Sequence, residues 1–234
     1  STRPGADPIS TEEELDRVIP VIEGLRRKGV RSLISIDTYK AVVADRALRA
    51  GARVINDISG LRFDAGMAEV ARLHRAGLIL MHIRGTPKTM QQLPPVRDIV
   101  STVRAGLRWS VKTALAAGVS KRHIALDPGI GFSKTVEQNF ELIAALPRLA
   151  KLGYPLLVGP SRKSFIRRTI EGRVGKQYEL PAQRTAGTEE VLCGTAAVVA
   201  ECIMNGASII RVHDVREMAA VAALACRMRV QEAR

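Results

Sequence analysis

Apolar runs that end abruptly in polar or charged residues recur six times along the chain. The six segments are ISIDTYK, VINDISG, LILMHIRG, HIALDPGIGF, PLLVGPSRKS and SIIRVHD, and a stretch with helical spacing follows each of them. Strands that alternate with helices are typical of βα units and a parallel sheet. Because nearly every strand has a polar end, the pattern favours an α/β protein of the (β/α)8 TIM barrel type over an open sheet, in which ligand residues cluster at one switch point. The functional residues are therefore expected at these strand ends.

The segments between the strands carry signals for helices and loops. Ser10 or Thr11, followed three residues later by Glu13 or Glu14, forms a capping-box pattern that predicts a helix running to Gly29. Further helices are expected over residues 39–51, 67–77, 99–118 and 191–205, and from 215 to the end. Gly and Pro residues predict a long loop over 84–98 on the site side of the sheet, and an irregular excursion over 172–190.

Composition fits a single globular domain over residues 1–234. Of these residues 46% are hydrophobic and only 3% aromatic, which suits strands that helices cover. No apolar run approaches the roughly 18 residues that span a bilayer, and the start STRPGADPIS lacks the features of a signal peptide. We therefore expect a cytoplasmic protein without a membrane partner. Cys193, Cys202 and Cys226 lack metal or redox spacing and are expected to be reduced, with Cys202 on a buried helical face.

The chain is strongly basic, with a formal net charge of +13. A basic field attracts anions of every size, from pyrophosphate to nucleic acid. Lys and Arg residues are spread along the chain without one long run or interleaved aromatic residues, which is typical of solvated helix faces and argues against a nucleic-acid-binding stripe. A small anionic substrate would use the remaining positive charge.

Three apolar strands end in Asp37, Asn56 and Asp127. Asp and Asn are depleted in strands, so each must be compensated by hydrogen bonds to the protein or to a ligand. Together they could bind the alternating N–H and C=O edge of a heterocycle, although each could instead cap the following helix. For Asp57 the two interpretations are equally supported, whereas the glycines of DPGIGF favour a ligand role for Asp127.

Basic residues follow the last two strands. In VGPSRKSF, Lys163 and Ser164 are expected to project into the crevice at the strand ends, and Arg162 is expected to point away and be structural. In RVHDV, Arg211 and His213 lie beside a helix start, where backbone N–H groups favour an anion.

Several other kinds of site lack their patterns. The four histidines form no HxxxH or HExxH spacing, so zinc is not expected. The P-loop spacing, the Gly-rich turn of a dinucleotide fold and a Ser nucleophile elbow are also missing. What remains is a set of Asp and Asn residues that could bind a heterocycle, a Lys/Ser pair and an Arg/His anion corner. Together they indicate group transfer with an anionic leaving group.

Seven segments resemble, in order and spacing, the motifs of the dihydropteroate synthase family. They are STRPGA, ISIDTYKA, INDISG, LMHIRGTPKTMQ, LDPGIGF, SRKSF and RVHDV. The resemblance covers essentially the whole chain. It implies a (β/α)8 barrel that forms a homodimer. It also implies an enzyme of folate biosynthesis that joins p-aminobenzoate to the pyrophosphate ester of 6-hydroxymethyl-7,8-dihydropterin and that is a target of sulfonamides. On this basis the protein is expected to be a transferase of the pterinylmethyl group.

The resemblance also implies roles for individual residues. The pterin ligands would be Asp37, Asn56, Asp127 and Lys163, with Met81 and Phe132 lining the pocket. The pyrophosphate would be held by Arg211 and His213, which with Lys163 form the expected catalytic set. The p-aminobenzoate side would comprise Thr2, Arg3, Pro4 and Ser164.

Two differences from the family pattern matter. The six strands correspond to strands three to eight, so the first two strands and their Asn-bearing loop are expected upstream of Ser1. In the family that loop contributes to Mg2+ pyrophosphate binding, so Mg2+ is the expected cofactor, with no metal ligand in this chain. The excursion at 172–190 departs from the family in length and charge.

Two alternative functions remain open at this point. A pterin-binding methyltransferase that uses methyltetrahydrofolate would share the Asp and Asn residues, although SRKSF and RVHD fit a pyrophosphate leaving group better. A noncatalytic paralogue retained as a binding protein would keep the pocket without the reaction.

Overall fold

Six short strands and nine α-helices make up the described part of the computed structural model, which covers residues 5–177 and 186–232. The strands are β1 (Ser35–Asp37), β2 (Val54–Asp57), β3 (Gly77–Met81), β4 (Ile124–Asp127), β5 (Leu157–Val158) and β6 (Ile209–Ile210). The helices are α1 (Thr11–Arg27), α2 (Ala41–Ala50), α3 (Met67–Leu73), α4 (Ile99–Ala116), α5 (Val136–Ala144), α6 (Leu146–Ala150), α7 (Ser164–Gln177), α8 (Thr188–Met204) and α9 (Val215–Glu232). All six predicted strands are present, and helices separate them.

The strands lie in chain order and are parallel. A four-stranded sheet runs β1-β2-β3-β4, and β5 pairs with β6. A parallel bridge between Leu126 and Leu156 joins the two parts. Sequential parallel strands with helical crossovers are the arrangement of a (β/α) barrel. Within the described residues β1 and β6 are not paired with each other, so the six units form an open arc.

The two faces of the sheet differ because successive side chains of a strand point to opposite sides. Ile55, Leu78, Leu80 and Leu126 belong to the main core, together with apolar side chains of the covering helices, and each has at most 1% of its surface exposed. Burying one such aliphatic side chain contributes about 1.5–3 kcal/mol. The other face lines a cavity of 720 Å³ along the inside of the arc.

Helix starts follow the predicted capping signals. The Ser10 side chain accepts a hydrogen bond from the Glu13 backbone N–H at 3.0 Å, and α1 begins at the next residue. The loop over 84–98 is confirmed, because α4 begins at Ile99 with Asp98 as its N-cap. Both helix starts thus satisfy backbone donors that the helix itself leaves unpaired.

Two predicted boundaries were wrong. The third helix was expected over 67–77, but α3 ends at Leu73, and Gly77 is the first residue of β3. Arg75, with φ of 49°, turns the chain between them. The excursion expected over 172–190 is helical at both ends, since α7 extends to Gln177 and α8 begins at Thr188. Arg, Lys and Gln in GRVGKQ, residues 172–177, are good helix formers and offset the two glycines there. Residues 178–185 lie outside the described residues.

The three cysteines are free thiols. Cys202 is buried in α8 as expected, and burial raises the pKa of its thiol to about 12. Among the described residues no helix is long and apolar enough to cross a membrane.

Candidate active site

A chain of four polar side chains crosses the strand ends from β1 to β6. Asn56 donates from Nδ2 to Oδ1 of Asp37 at 3.0 Å. Arg211, directly after β6, donates to Oδ1 of Asn56 at 3.0 Å and to Oδ2 of Asp127 at 2.9 Å. The sequence-predicted acceptors Asp37, Asn56 and Asp127 are thus neighbours in space. Arg211, expected at an anion corner, occupies the middle of this group.

Sheet register places these side chains together. Asp37 pairs with Asn56 across β1 and β2, and Met81 pairs with Asp127 across β3 and β4. Asn56 and Asp127 are buried, whereas Asp37 is accessible to solvent inside the cavity. Desolvation by the cavity walls raises the pKa of Asp37, and the hydrogen bond from Asn56 opposes this. The site therefore combines a buried carboxylate with one that is easier to protonate than usual.

The loop after β4 brings backbone close to the site. Gly129 donates its N–H to Oδ1 of Asp127 at 2.7 Å and has φ of +70°. A Cβ on Gly129 would lie 2.0 Å from the carbonyl oxygen of His82, and a Cβ on Gly131 would lie 2.8 Å from Cδ of Lys163. Only glycine fits such approaches, especially at positive φ. The glycines of DPGIGF therefore allow this loop to pack directly against β3 and Lys163.

An apolar wall stands beside the polar chain. Met81 and Phe132 belong to one buried cluster, completed by Ile58, Ile83 and Met90. Nζ of Lys163 lies 4.2 Å from the centre of the Phe132 ring, a cation–π contact. Burial lowers the pKa of Lys163, and the Asp127 carboxylate opposes that shift. A flat heterocycle could lie against this wall while its edge contacts the four polar side chains at the strand ends.

The predicted anion corner is held by a residue that the sequence did not single out. Ser161 is buried, and its Oγ lies 3.0 Å from Nδ1 of His213 and accepts a hydrogen bond from the His213 N–H at 3.2 Å. Arg162 forms an ion pair with Asp214, in agreement with its expected structural role. His213 itself is exposed at the start of the segment leading to α9. Ser164 is exposed at the first position of α7.

Asp57 has a structural role in the loop after β2. Its carboxylate is almost fully buried and accepts hydrogen bonds from Oγ of Ser59 at 2.7 Å and from backbone N–H groups of Ser59 and Leu61 at 2.8 and 2.7 Å. Burial raises the pKa of Asp57, and these bonds oppose it. All of these partners are protein atoms, which favours the structural interpretation of the two that the sequence left open.

Some predicted residues and groups cannot be placed in this site. Thr2, Arg3 and Pro4 lie outside the described residues. In the described part of the chain no group of three or more His, Cys, Asp or Glu side chains could hold a metal ion, and the site carboxylate of Asp127 is already bonded to Arg211 and Gly129. These residues alone do not fit a Mg2+ site, which needs about six oxygen ligands.

Lys134 and His82 were also missed by sequence reasoning. Both are buried, Lys134 in the loop after β4 and His82 directly after β3, and Nζ of Lys134 lies 3.4 Å from Nδ1 of His82. A lone Lys in a polar segment and a lone His after a strand carry no sequence signal of burial. Their proximity follows only from the packing of two loops distant in sequence.

Comparison with known proteins shows which family the chain resembles. Residues 1–213 match the family described as pterin binding enzyme. The dihydropteroate synthase of Synechocystis sp. is 48% identical over 225 residues, which are 96% of this chain and 73% of that protein.

Two solved structures have a similar fold. The Yersinia pestis dihydropteroate synthase in complex with a sulfonamide drug superposes with a TM-score of 0.84 at 37% identity, covering 98% of this chain and 78% of that one. The Xanthomonas albilineans dihydropteroate synthase with 4-aminobenzoic acid gives a TM-score of 0.84 at 36% identity, covering 99% and 76%. The fold is therefore of the (β/α) barrel type. Family match, identity and shared fold together establish that the chain belongs to the pterin binding enzyme family, among its dihydropteroate synthases.

Proposed function

We propose that this protein is a transferase that joins p-aminobenzoate to the pyrophosphate ester of 6-hydroxymethyl-7,8-dihydropterin, giving 7,8-dihydropteroate and pyrophosphate. The observation that carries the proposal is the chain of hydrogen bonds Asp37–Asn56–Arg211–Asp127 at the strand ends. It offers carboxylate and amide groups to a pterin edge and a guanidinium to an anionic group in one place.

The pterin would bind to Asp37, Asn56 and Asp127, with its ring beside Met81 and Phe132. Asp127 is the strongest acceptor, because its carboxylate is 1% exposed and desolvation strengthens the hydrogen bonds that it accepts. Arg211 holds Asn56 and Asp127 in this structure, so a pterin that takes these partners displaces the guanidinium. The displaced Arg211 is then free to pair with the pyrophosphate.

In the proposed reaction the residues of the site stabilise the leaving group and do little to activate the nucleophile. The bond between the pterin methylene carbon and the pyrophosphate oxygen breaks, and its electron pair goes to that oxygen. Arg211 and His213 stabilise the negative charge that develops there, an effect worth about 10²–10³ in kcat for a well-placed donor. The arylamine lone pair forms the new C–N bond, and the amine proton passes to solvent.

The p-aminobenzoate side of the site is assigned from the family resemblance. Ser164, exposed at the first turn of α7, would contact p-aminobenzoate together with Thr2, Arg3 and Pro4. The Yersinia pestis synthase was solved with a sulfonamide drug, and we propose that sulfonamides compete with p-aminobenzoate here as well. We also propose that Mg2+ binds together with the pyrophosphate, that the protein forms a homodimer and that it is cytoplasmic. No step above uses the metal ion.

The direct test is release of pyrophosphate by the full-length protein when both substrates are supplied. Release that depends on p-aminobenzoate, with formation of dihydropteroate, is the expected result. Methyl transfer from methyltetrahydrofolate without pyrophosphate release would overturn the proposal in favour of a methyltransferase. Calorimetry with the pterin pyrophosphate separates the noncatalytic alternative, since binding without turnover would identify a binding protein. Repeating the assay with EDTA tests the metal requirement.

A further inference from the structure

Lys134 joins two loops behind the pterin pocket. It comes two residues after Phe132, and only 8% of its surface is exposed. Its Nζ donates to the carbonyl oxygen of Phe132 at 2.8 Å and to that of His82 at 3.4 Å. One ammonium group therefore links the loop after β4 to the end of β3.

The linked loop carries the wall of the pocket. The Phe132 carbonyl that Lys134 holds belongs to the same residue whose ring lies 4.2 Å from Nζ of Lys163. The two loops approach each other closely, since a Cβ on Gly129 would lie only 2.0 Å from the carbonyl oxygen of His82. A change in the distance between these loops would move the Phe132 ring, and Lys163 with it.

The surroundings of Lys134 destabilise its charged form. Burial lowers the pKa of Lys134 to about 7; Asp127 opposes this shift, while the charges of Arg84 and Lys163 add to it. His82 is neutral, because burial followed by the Lys134 charge lowers its pKa to about 2. The Nδ1 of His82, 3.4 Å from Nζ of Lys134, can therefore act as an acceptor.

A merely structural role would be served as well by an apolar side chain. Replacing a buried charge by a well-packed apolar group is often neutral or stabilising. A buried amine that faces two carbonyls and an imidazole nitrogen acts instead through its hydrogen bonds, which are directional and stronger when the donor is charged.

We propose that Lys134 is a positioning residue of the pterin pocket, whose ammonium fixes the distance between the loops after β3 and β4 and thereby the placement of Phe132 and Lys163. The inference rests on the proposed function only for the identity of the ligand. Because the neutral amine donates weaker bonds than the ammonium, the link loosens as Lys134 loses its proton. Pterin affinity should then depend on pH through this residue.

The test compares Lys134→Met with the wild type in the full-length protein. The matched control is Lys151→Met, which removes an exposed lysine after α6. Calorimetry with 6-hydroxymethylpterin should give about tenfold weaker binding for Lys134→Met at pH 6.5, as expected for loss of a charged hydrogen bond. The ratio to wild type should shrink towards pH 9, and Lys151→Met should match wild type throughout. The KM for p-aminobenzoate should change by less than about twofold, because Lys134 bonds to Phe132, which lines the proposed pterin pocket.

Two results would overturn the inference. One is equal pterin affinity of Lys134→Met and wild type at every pH. The other, which needs no variant to fold, is wild-type pterin affinity that does not fall as pH rises from about 6.5 to 9. Failure of the proposed function is distinguishable, since it would appear as wild-type protein that binds the pterin but releases no pyrophosphate.

Discussion

Arg211 and Asp127 form an ion pair at 2.9 Å in which the Asp127 side chain is 1% exposed and the Arg211 side chain 41% exposed. The Asp127 carboxylate also accepts the Gly129 N–H, so each of its two oxygens already accepts one hydrogen bond without a ligand. In the proposed binding mode the pterin N–H groups take the place of the Arg211 guanidinium at Oδ2 of Asp127. Binding of the heterocycle and release of Arg211 are therefore linked.

Arg211→Ala should weaken binding of the pyrophosphate ester without weakening binding of the pterin alone to the same extent. We expect affinity for the pterin pyrophosphate ester to fall about 10- to 100-fold, the value of one lost charged hydrogen bond. Affinity for the bare pterin should change by less than about threefold, because the lost guanidinium competes with the pterin for Asn56 and Asp127. Calorimetry with both ligands measures this. Arg122→Ala, which lies at the opposite end of the same cavity, is the control, and equal losses for both ligands would refute the role of Arg211.

The strand ends were predictable because a polar residue that closes a buried strand breaks a strong local pattern. Asp37, Asn56 and Asp127 stand out in this way, and parallel strands in sequential order must bring their ends to one edge. The sequence could not predict that Arg211 bonds to Asn56, 155 residues earlier. Such a bond depends on side-chain rotamers and on the curvature of the arc, and neither leaves a periodic signal.

A second limit of prediction from sequence concerns Lys134, Ser161 and the extent of α7. Lys134 and Ser161 are buried by loop packing, yet Lys134 lies between Ser133 and Thr135 and Ser161 lies between Pro160 and Arg162, a context typical of surface loops. In α7, Gly172 and the flanking charges indicated an irregular segment, yet the helix continues to Gln177. Glycine at an exposed helix position costs only about 1 kcal/mol, which packing of the rest of the helix can offset.

Asp57 and Asp127 should respond differently to the same substitution. Both carboxylates are 1% exposed, but Asp57 bonds only to its own loop. Asp57→Asn should lower the free energy of unfolding by about 1–3 kcal/mol, since it leaves buried donors poorly paired, and folded protein should keep its pterin affinity. Asp127→Asn should instead weaken pterin binding about tenfold or more. Urea unfolding and calorimetry on both variants measure the contrast, and loss of pterin affinity with unchanged stability in Asp57→Asn would contradict it.

Gly129→Ala should destabilise the protein strongly. The added Cβ would meet the carbonyl oxygen of His82 at 2.0 Å, and the position has φ of +70°. Steric strain and left-handed backbone together should cost about 2–4 kcal/mol of unfolding free energy. Gly172→Ala is the matched control, because a Cβ there meets nothing within 4 Å and lies in α7. It should leave stability unchanged or raise it by up to about 1 kcal/mol; similar melting temperatures for the two variants would contradict the close packing at Gly129.

The buried Lys134 should also make stability depend on pH. The pKa of Lys134 is lowered from 10.5 to about 7 in the folded protein. Between these values the unfolded chain keeps a proton that the folded protein has released, so raising the pH favours the folded state. Lys134→Met lacks this contribution, while other titrating groups, including Lys163, are common to both proteins. The unfolding free energy of wild type relative to Lys134→Met should therefore rise by a few kcal/mol from about pH 7 to pH 10. Urea unfolding across this range measures it, with Lys151→Met expected to run parallel to wild type, and a constant difference for Lys134→Met would show that Lys134 titrates normally.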